Sequence, residues 1–488
     1  MPGEELKADL LFTENRLRQV FTHCDDMIYR QFQITYSDGQ QNGLIVYIGN
    51  LIDKHLLELA VLNPIFLQPQ STNLLTLEQL HDGIITLGEV QYVTTLEESV
   101  QRILLADVAV FLDGEPQALC INLPGWEHRN VEKSENEVAL RGSQSGFTEL
   151  LDNNIALIRR FILDSQLKVE RSVLGRVTKT PYCIMYMEAI ADSAIVQEVK
   201  NRLARAQQHV DKILDSGYIE ELIRDMPSSP FPTVNTTEKP DRTAAHLLEG
   251  KVAILVNNSP IVLTVPALLA EFLDAPDDYY GNFLLQSAIR LLRYLAFWLS
   301  LTLPTLYVAV LCYHHELLST SFLSTVMTQR QGVPLPTIVE VLVMEVTFEI
   351  LREAGLRLPR PIGQAVSIVG ALVIGQAAVQ AGVVMATTVI IVAATAIMSF
   401  TIPGFAVAGA IRLLRFPLLI LVGIFGLPGF VLGIMMILFH LVNVRSFGIV
   451  YTATLAPRKF TDIFYTLVRA PYYMTQLRIP WMAYKKSR

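Results

Sequence analysis

Three acidic residues are spaced along an apolar stretch in a way that could attract cations. Glu345, Glu349 and Glu353 follow one another at four-residue intervals, which places them on one face of a helix. Such an acid at bilayer depth costs about 2.5–3.5 kcal/mol unless it meets water or a partner. We therefore expect these side chains to line a wet cavity, to meet Arg352 or Arg357 of a neighbouring element, or to lie at an interface. Rings of carboxylates select cations, and buried ion pairing without conduction is the alternative.

The next apolar run carries small residues and a pair of glutamines. The small residues recur at helical spacing and form a smooth face that suits close helix packing; they are Ala371, Gly375, Ala378 and Gly382. Gln376 and Gln380, one turn apart, face another direction. Packing is the usual role of such a stripe, and the glutamines could bond across helices or line a water path.

Other parts of the chain give no sign of catalysis. The sequence contains no phosphate-binding loop, dinucleotide fingerprint, zinc-protease motif or nucleophile elbow. The four cysteines are isolated, which argues against a zinc site or a disulfide framework. We expect no catalytic residues, no metal, no cofactor and no nucleic-acid partner. Asp277-Asp278 is interpreted as an exposed loop rather than a metal-binding pair, and Arg159-Arg160 as part of a solvated helix face.

Charge and hydropathy divide the chain near residue 288. Residues 1–288 carry 23 basic and 40 acidic residues, whereas residues 289–488 carry 16 basic and 6 acidic residues. The second part also contains long apolar runs, notably Ala365–Phe400 and Phe416–Leu441. A helix needs about 20 apolar residues to cross a bilayer. The sequence therefore predicts a water-soluble front half followed by a membrane domain. No signal peptide is evident at the N-terminus, so we expect the front half to stay in the cytoplasm.

The front half contains an internal repeat. Val108–Pro116 and Val252–Pro260 each show an apolar strand, a turn and a proline before a second strand. Ile45–Ile48 and Ile184–Met187 each lead into a helix, so that both features recur about 140 residues apart in the sequence. We therefore predict two related α/β subdomains. The expected divisions are an N-terminal extension 1–19, subdomain one 20–125, a linker 126–146 and subdomain two 147–288.

The membrane domain, residues 289–447, is predicted to hold five to six α-helical elements in a polytopic arrangement. Six segments can be drawn: Tyr294–Tyr313 (interrupted by Pro304), Ile338–Ile350, Ile362–Val383, Val384–Thr401, Phe416–Gly426 and Gly429–Leu441. If Ile338–Ile350 crosses, then Arg352–Arg360, Arg412–Arg415 and the basic tail 448–488 all lie in the cytoplasm, which satisfies the positive-inside rule. A re-entrant second element is the alternative. Glu340 falls on the opposite face of this segment from the three spaced acids.

Several motifs in order resemble GerA-type spore germination receptor A subunits. The front-half matches are Arg141-Gly142, Gly146-Phe-Thr-Glu149, Asn154 to Arg160, Phe231-Pro-Thr233, Thr237 to Asp241, Leu248-Glu-Gly250 and Asp278-Tyr-Tyr280. The membrane-half matches are Leu303-Pro304, Glu353 to Pro359, Ile362-Gly363 and Ser446-Phe-Gly448. The resemblance covers about residues 15–460. The family in question includes paralogues, among them one like the A-subunit-like protein of the SpoVA operon, and this chain resembles such a paralogue as well.

This resemblance implies a multi-pass protein of the inner spore membrane, with its front half and C-terminal tail in the cytoplasm. It implies a homo-oligomer, expected to be a pentamer, that forms a nutrient-gated channel for monovalent cations in the lipid bilayer. The implied partners are a B-type, transporter-like subunit and a C-type lipoprotein. A non-conducting scaffold and a secondary transporter are the alternatives.

Within such a channel the residues suggest specific roles. Glu345 and Glu349 are the candidates for attracting cations. The candidate pore-facing residues are Gln376, Val379, Gln380 and Val383. Of these, the two valines are the candidate apolar gate.

Overall fold

The computed structural model describes residues 4–36, 39–66, 75–85, 87, 89–125, 137, 142–358, 373–455 and 467–469. These residues divide into two compact units. The first holds residues up to Arg224 together with Val234–Pro266. The second holds Asp225–Thr233 and the described residues from Ala267 onwards.

The first half of the first unit contains an antiparallel five-stranded sheet and several helices. Its strands are β1 (Met27–Tyr36), β2 (Gly39–Ile48), β3 (Val90–Val93), β4 (Asp107–Leu112) and β5 (Ala118–Asn122), in the spatial order β1-β2-β4-β5-β3. Its helices are α1 (Leu10–Val20), α2 (Lys54–Leu57), α3 (Asn63–Phe66), α4 (Leu77–Gln79) and α5 (Leu96–Leu104). Helices α2 and α4 continue into the π-helical turns Glu58–Leu62 and Leu80–Ile84.

The second half of the unit repeats this topology. Its strands are β6 (Leu167–Leu174), β7 (Thr180–Met187), β8 (Asn235–Thr237), β9 (Val252–Val256) and β10 (Val262–Val265), in the order β6-β7-β9-β10-β8. Its helices are α6 (Leu151–Phe161), α7 (Ser193–His209), α8 (Ser216–Ile223) and α9 (Pro240–Leu248). A helix precedes the first and the fourth strand of both sheets, and the strand orders correspond one to one. The prediction of two related α/β subdomains is confirmed.

Both faces of the first sheet are buried, and strand β2 shows how. Its alternate residues point to opposite faces. Leu44 and Val46 enter one hydrophobic cluster with α1 and α5, whereas Ile45 and Tyr47 enter a second cluster with the α2 region. An uninterrupted apolar run is what a strand covered on both faces requires.

The second unit is mainly helical. Its helices are α10 (Phe283–Tyr313), α11 (Thr320–Arg330), α12 (Thr337–Arg357), α13 (373–380), α14 (Ala386–Phe400), α15 (Phe405–Phe425) and α16 (Leu427–Asn443). A short hairpin of β11 (Arg445–Ser446) and β12 (Ile449–Val450) follows. Among the described helices, α10 and α15 are long and apolar enough to cross a membrane, and α14 and α16 are shorter apolar helices. The predicted helical, apolar second half is confirmed.

Two helices are longer than the segments predicted for them from the sequence. Helix α10 begins at Phe283 and continues past Pro304 to Tyr313. The predicted interruption at Pro304 is therefore wrong. Helix α15 begins at Phe405 and therefore includes Arg412 and Arg415, which the sequence analysis had placed at a cytoplasmic loop. Charged residues dilute the hydropathy signal at the first turns of an apolar helix, which makes such a segment look shorter than it is.

The segment 225–233 packs inside the second unit although it lies between two stretches of the first. Phe231 is fully buried and its ring lies near those of Tyr451 and His440. The Ser229 hydroxyl lies 2.8 Å from Nε2 of His440, and Ser446 donates a 2.6 Å hydrogen bond to the Thr233 carbonyl. These contacts anchor the segment to the end of α16 and the hairpin that follows.

Candidate functional site

Glu345 forms a buried ion pair with a neighbouring helix. Its Oε2 lies 2.5 Å from Nη1 of Arg415 on α15, and each side chain is only 4% exposed. Glu345 Oε1 and two further nitrogens of Arg415 have no hydrogen-bond partner among the described residues. In the single chain this acid therefore neutralises an arginine. Its predicted role in attracting cations stays a prediction.

The other two acids of the spaced set are progressively more exposed. Glu349 lies 3.2 Å from Arg352 on its own helix and 3.5 Å from Arg412 on α15, with its side chain 38% exposed. Glu353 pairs with Arg357 at 2.7 Å on the open surface. The exposure of the three acids therefore increases along one face of α12, from the buried Glu345 to Glu353 on the surface. Of the alternatives drawn from the sequence, pairing with Arg352 and Arg357 is found for Glu349 and Glu353, whereas the partner of Glu345 comes from α15.

Glu340 holds the start of α14 from the opposite side of α12. The residue is fully buried. Its Oε2 accepts a 3.0 Å hydrogen bond from the backbone N–H of Met385 and a 3.3 Å hydrogen bond from the Thr388 hydroxyl. A carboxylate at a helix N-terminus satisfies free N–H groups and complements the helix dipole. Glu340 therefore links α12 to the beginning of α14.

The turn between α13 and α14 is built around Gly382. Its φ of +66° lies in the left-handed region, and a Cβ here would come within 3.0 Å of the Gly332 carbonyl oxygen. The backbone N–H groups of Val383 and Val384 both reach the Ala378 carbonyl, at 2.9 and 3.4 Å. The chain folds back here, close to the boundary between the predicted segments Ile362–Val383 and Val384–Thr401.

The other residues of the small stripe are placed differently. A Cβ at the buried Gly375 would lie 3.6 Å from Val389 of α14, so α13 and α14 approach closely there. Ala378 is half-buried, and Ala371 lies outside the described residues. The packing role of the whole stripe stays a prediction.

The four candidate pore residues line the surface of this hairpin. Gln376, Gln380 and Val383 are exposed and Val379 is half-buried. Neither glutamine forms a hydrogen bond to another described residue. The single chain thus leaves two amide groups, one helical turn apart, open on an apolar helical unit.

In the first unit a buried arginine joins the two subdomains. Arg159 on α6 donates hydrogen bonds of 2.7 and 2.9 Å to the two carboxylate oxygens of Asp26, and the two side chains are 1% and 0% exposed. Burial opposes the charge of Arg159, but the Asp26 carboxylate outweighs it, so the pKa of the guanidinium is raised. The solvated face expected for Arg159-Arg160 is therefore wrong at Arg159, because this side chain crosses into the other subdomain.

The carboxylates before α10 are also paired. Asp278 is buried and accepts a 2.7 Å hydrogen bond from Arg293, while Asp274 pairs with Arg290. Burial raises the pKa of Asp274, although Arg290 acts in the opposite direction. The exposed loop expected at Asp277-Asp278 is wrong at Asp278. These pairs fix the start of α10.

Metal-ligand clusters are absent from the described ranges. Groups of three His, Cys, Asp or Glu side chains that could hold a metal do not occur there. His246, the fully enclosed histidine of α9, has its Nδ1 3.0 Å from the Thr264 hydroxyl. Burial lowers its pKa well below 6.5, and the nearby Lys251 and Arg242 act in the same direction. This histidine is a neutral core residue.

Sequence reasoning missed the partners of these charged groups. Arg412 and Arg415 are three residues apart and Glu345 and Glu349 are four apart, so each pair lies on one helical face, and that signal could have suggested a helix pair. By contrast, Asp26 and Arg159 are separated by 133 residues. No local pattern connects them.

Comparisons with known proteins extend over most of the chain. A model of the Bacillus/Clostridium GerA spore germination protein family matches residues 15–480. Spore germination protein KA of Bacillus subtilis (strain 168) is 42% identical over 456 residues, which cover 93% of this chain and 83% of that protein. Uncharacterized membrane protein YfkQ of the same strain is 41% identical over 457 residues, covering 94% and 88%.

A solved structure also matches. The crystal structure of the N-terminal domain of the A subunit of the Bacillus megaterium spore germinant receptor GerK3 is 30% identical. The match covers 55% of this chain and 98% of that domain, with a TM-score of 0.43. The family match over residues 15–480 includes both the duplicated sheets and the apolar helices. This chain belongs to the GerA family of spore germination proteins.

Proposed function

We propose that this protein is the A subunit of a spore germinant receptor and that several copies assemble into a nutrient-gated channel for monovalent cations. In this proposal the second unit forms the membrane domain in the inner spore membrane. The first unit and the C-terminal tail lie in the cytoplasm. Opening of the channel releases ions and starts germination.

The observation that carries this function is the exposed polar surface of α13. Gln376 and Gln380 face outward without a hydrogen-bond partner in the described structure, on a unit whose neighbouring helices are apolar. Polar side chains within a membrane face a bundle interior or a water-filled cavity rather than lipid. Copies of α13 around a common axis would supply such an interior, with Val379 and Val383 near it as an apolar gate.

The acids of α12 divide between two roles. Glu349 retains an exposed carboxylate and is the better placed to attract cations. Glu345 is sealed against Arg415. We assign Glu345 a cation-attracting role only in a state in which this pair opens. The two acids then supply the negative charge that favours cations over anions.

Family membership supports the proposed partners. We propose a homo-oligomer, with five copies as the expected number, that associates with a B-type transporter-like subunit and a C-type lipoprotein. The nutrient would bind the B-type subunit. No reaction is assigned to the A subunit, since the family is one of germination proteins rather than of enzymes.

The gate is tested by cation efflux from liposomes that contain the purified, full-length protein. Val383→Ala removes two methyl groups from the candidate gate, and we expect it to increase resting potassium efflux. Ile374→Ala is the matched control, because Ile374 is an equally exposed aliphatic residue that lies on α13, outside the candidate gate. Equal efflux from both variants and the wild type would refute the assignment of the gate.

A further inference from the structure

A series of hydrogen bonds between polar groups links three helices of the second unit. Glu340 of α12 accepts hydrogen bonds from the Met385 N–H and the Thr388 hydroxyl of α14. The Thr388 oxygen lies 3.2 Å from the hydroxyl of Tyr307 on α10. Since Thr388 uses its proton towards the carboxylate, Tyr307 must be the donor in the second bond. The chain of donors therefore ends at the Glu340 carboxylate.

This carboxylate fixes one end of the turn that carries Val383. The other end is fixed by the Ala378 carbonyl, which accepts from Val383 and Val384. The Gly332 carbonyl lies beside the middle of the turn and leaves little room for a side chain at Gly382. Met385, whose N–H reaches Glu340, follows Val383 by two residues. A substitution at Glu340 would therefore alter the position of Val383, because only Val384 separates Val383 from Met385.

The strength of this contact depends on burial and charge. Glu340 and Thr388 are both fully buried. Hydrogen bonds to a charged acceptor are about twice as strong as those between neutral groups. No ion pair to Glu340 occurs among the described residues, so its hydrogen bonds there come from the Met385 N–H at the start of α14 and from the Thr388 hydroxyl, which Tyr307 orients.

We propose that Glu340 is a positioning residue that keeps the gate closed by holding the 381–385 turn against α12. This role rests on the proposed channel function. It predicts that loss of the carboxylate frees the turn and opens a resting leak, while folding and assembly of the rest of the protein persist. It assigns to Glu340 a task separate from that of Glu345 and Glu349 on the opposite face.

The test combines two measurements on the full-length protein. Hydrogen exchange reports the protection of peptides that contain Met385 and Thr388, and potassium efflux from liposomes reports the gate. Glu340→Ala removes Oε2, the oxygen that accepts both hydrogen bonds, and we expect faster exchange in this segment together with a leak increased on the order of tenfold. Glu340→Gln retains an acceptor oxygen and should restore most of the protection and tightness.

Thr388→Val gives an independent variant if Glu340→Ala fails to fold. It is nearly isosteric and removes one of the two donors, so an intermediate leak is expected, and Thr388→Ser should restore the closed state. Thr395→Val is the matched control. Thr395 lies buried on the same helix and bonds only to the Ile391 carbonyl among described residues.

The outcomes separate the positioning role from the channel function. Faster exchange at Met385 with an unchanged leak would overturn the proposed role of Glu340, and so would a leak without faster exchange. If neither the wild type nor Val383→Ala conducts, the channel function itself fails. The exchange data would then still show whether Glu340 holds the turn.

Discussion

Three arginines buried in the described part of the chain each pair with a carboxylate, and each pair joins two elements. Arg159 joins α6 to the chain just before β1, Arg415 joins α15 to α12, and Arg293 joins α10 to the loop before it. Taking two charges out of water is costly, but removing only one partner is worse because the other remains uncompensated. Such pairs therefore fix which elements lie side by side.

The Glu345–Arg415 pair predicts strong coupling between two substitutions. Glu345→Gln or Arg415→Met alone should destabilise the protein by about 3–5 kcal/mol, because each leaves one buried charge unpaired. The double variant should recover much of this loss. Thermal unfolding of the purified protein in detergent measures the cycle.

The exposed Glu353–Arg357 pair is the matched control. Glu353 and Arg357 lie four residues apart on α12, the helix that also carries Glu345, but both are on the surface. Exposed pairs of this kind contribute about 0.3–0.5 kcal/mol. Additive effects at Glu345 and Arg415, equal to those of the control, would show that their charges do not depend on each other.

His246 predicts acid sensitivity in the first unit. The unfolded chain protonates a histidine near pH 6.5, whereas burial keeps His246 neutral to a lower pH. The unfolded state therefore binds more protons as the pH falls below 6.5, and the stability of this region decreases by at most about 1.4 kcal/mol per pH unit. Hydrogen exchange of α9 and β10, corrected for the intrinsic pH dependence, should show this loss of protection.

Replacing the histidine should remove the effect. His246→Gln is expected to flatten the pH dependence of exchange in α9 and β10. His209→Gln, at an exposed position at the end of α7, should leave it unchanged. An identical pH response in the wild type and His246→Gln would contradict the burial of a neutral imidazole.

At the scale of elements, the sequence predicted what depends on local pattern. The hairpins β4–β5 and β9–β10 and the duplication were visible in apolar runs and turn residues. The start of α15 was missed because Arg412 and Arg415 look like loop residues until their partners on α12 are known. The link from Glu340 to α14 was also missed, since the N-cap of a helix is here supplied by a distant side chain.

The α13–α14 turn predicts a specific effect of adding a methyl group. Gly382→Ala should destabilise the protein by about 1–2 kcal/mol because of its left-handed backbone, and the Gly332 carbonyl would have to move as well. Gly332→Ala is the control, since a Cβ at Gly332 meets nothing within 4 Å. Equal unfolding temperatures for the two variants would argue against this turn.

At the scale of the whole molecule, the chain combines a duplicated α/β half with an apolar helical half. The fold class could be predicted because the division of charge and hydropathy is large and extends over hundreds of residues. The candidate site could be predicted only in part. The acids and glutamines were found by type and spacing, whereas their partners depend on tertiary packing that one sequence does not reveal.

The central claim is that copies of this chain form a cation-conducting pathway. Cation current across planar bilayers, recorded for the purified protein alone and with its B-type and C-type partners and a nutrient, tests it most directly. We predict a cation-selective current that increases in Val383→Ala and loses selectivity in Glu349→Gln. A silent bilayer, despite verified insertion, assembly and nutrient, would contradict the channel and favour a non-conducting scaffold.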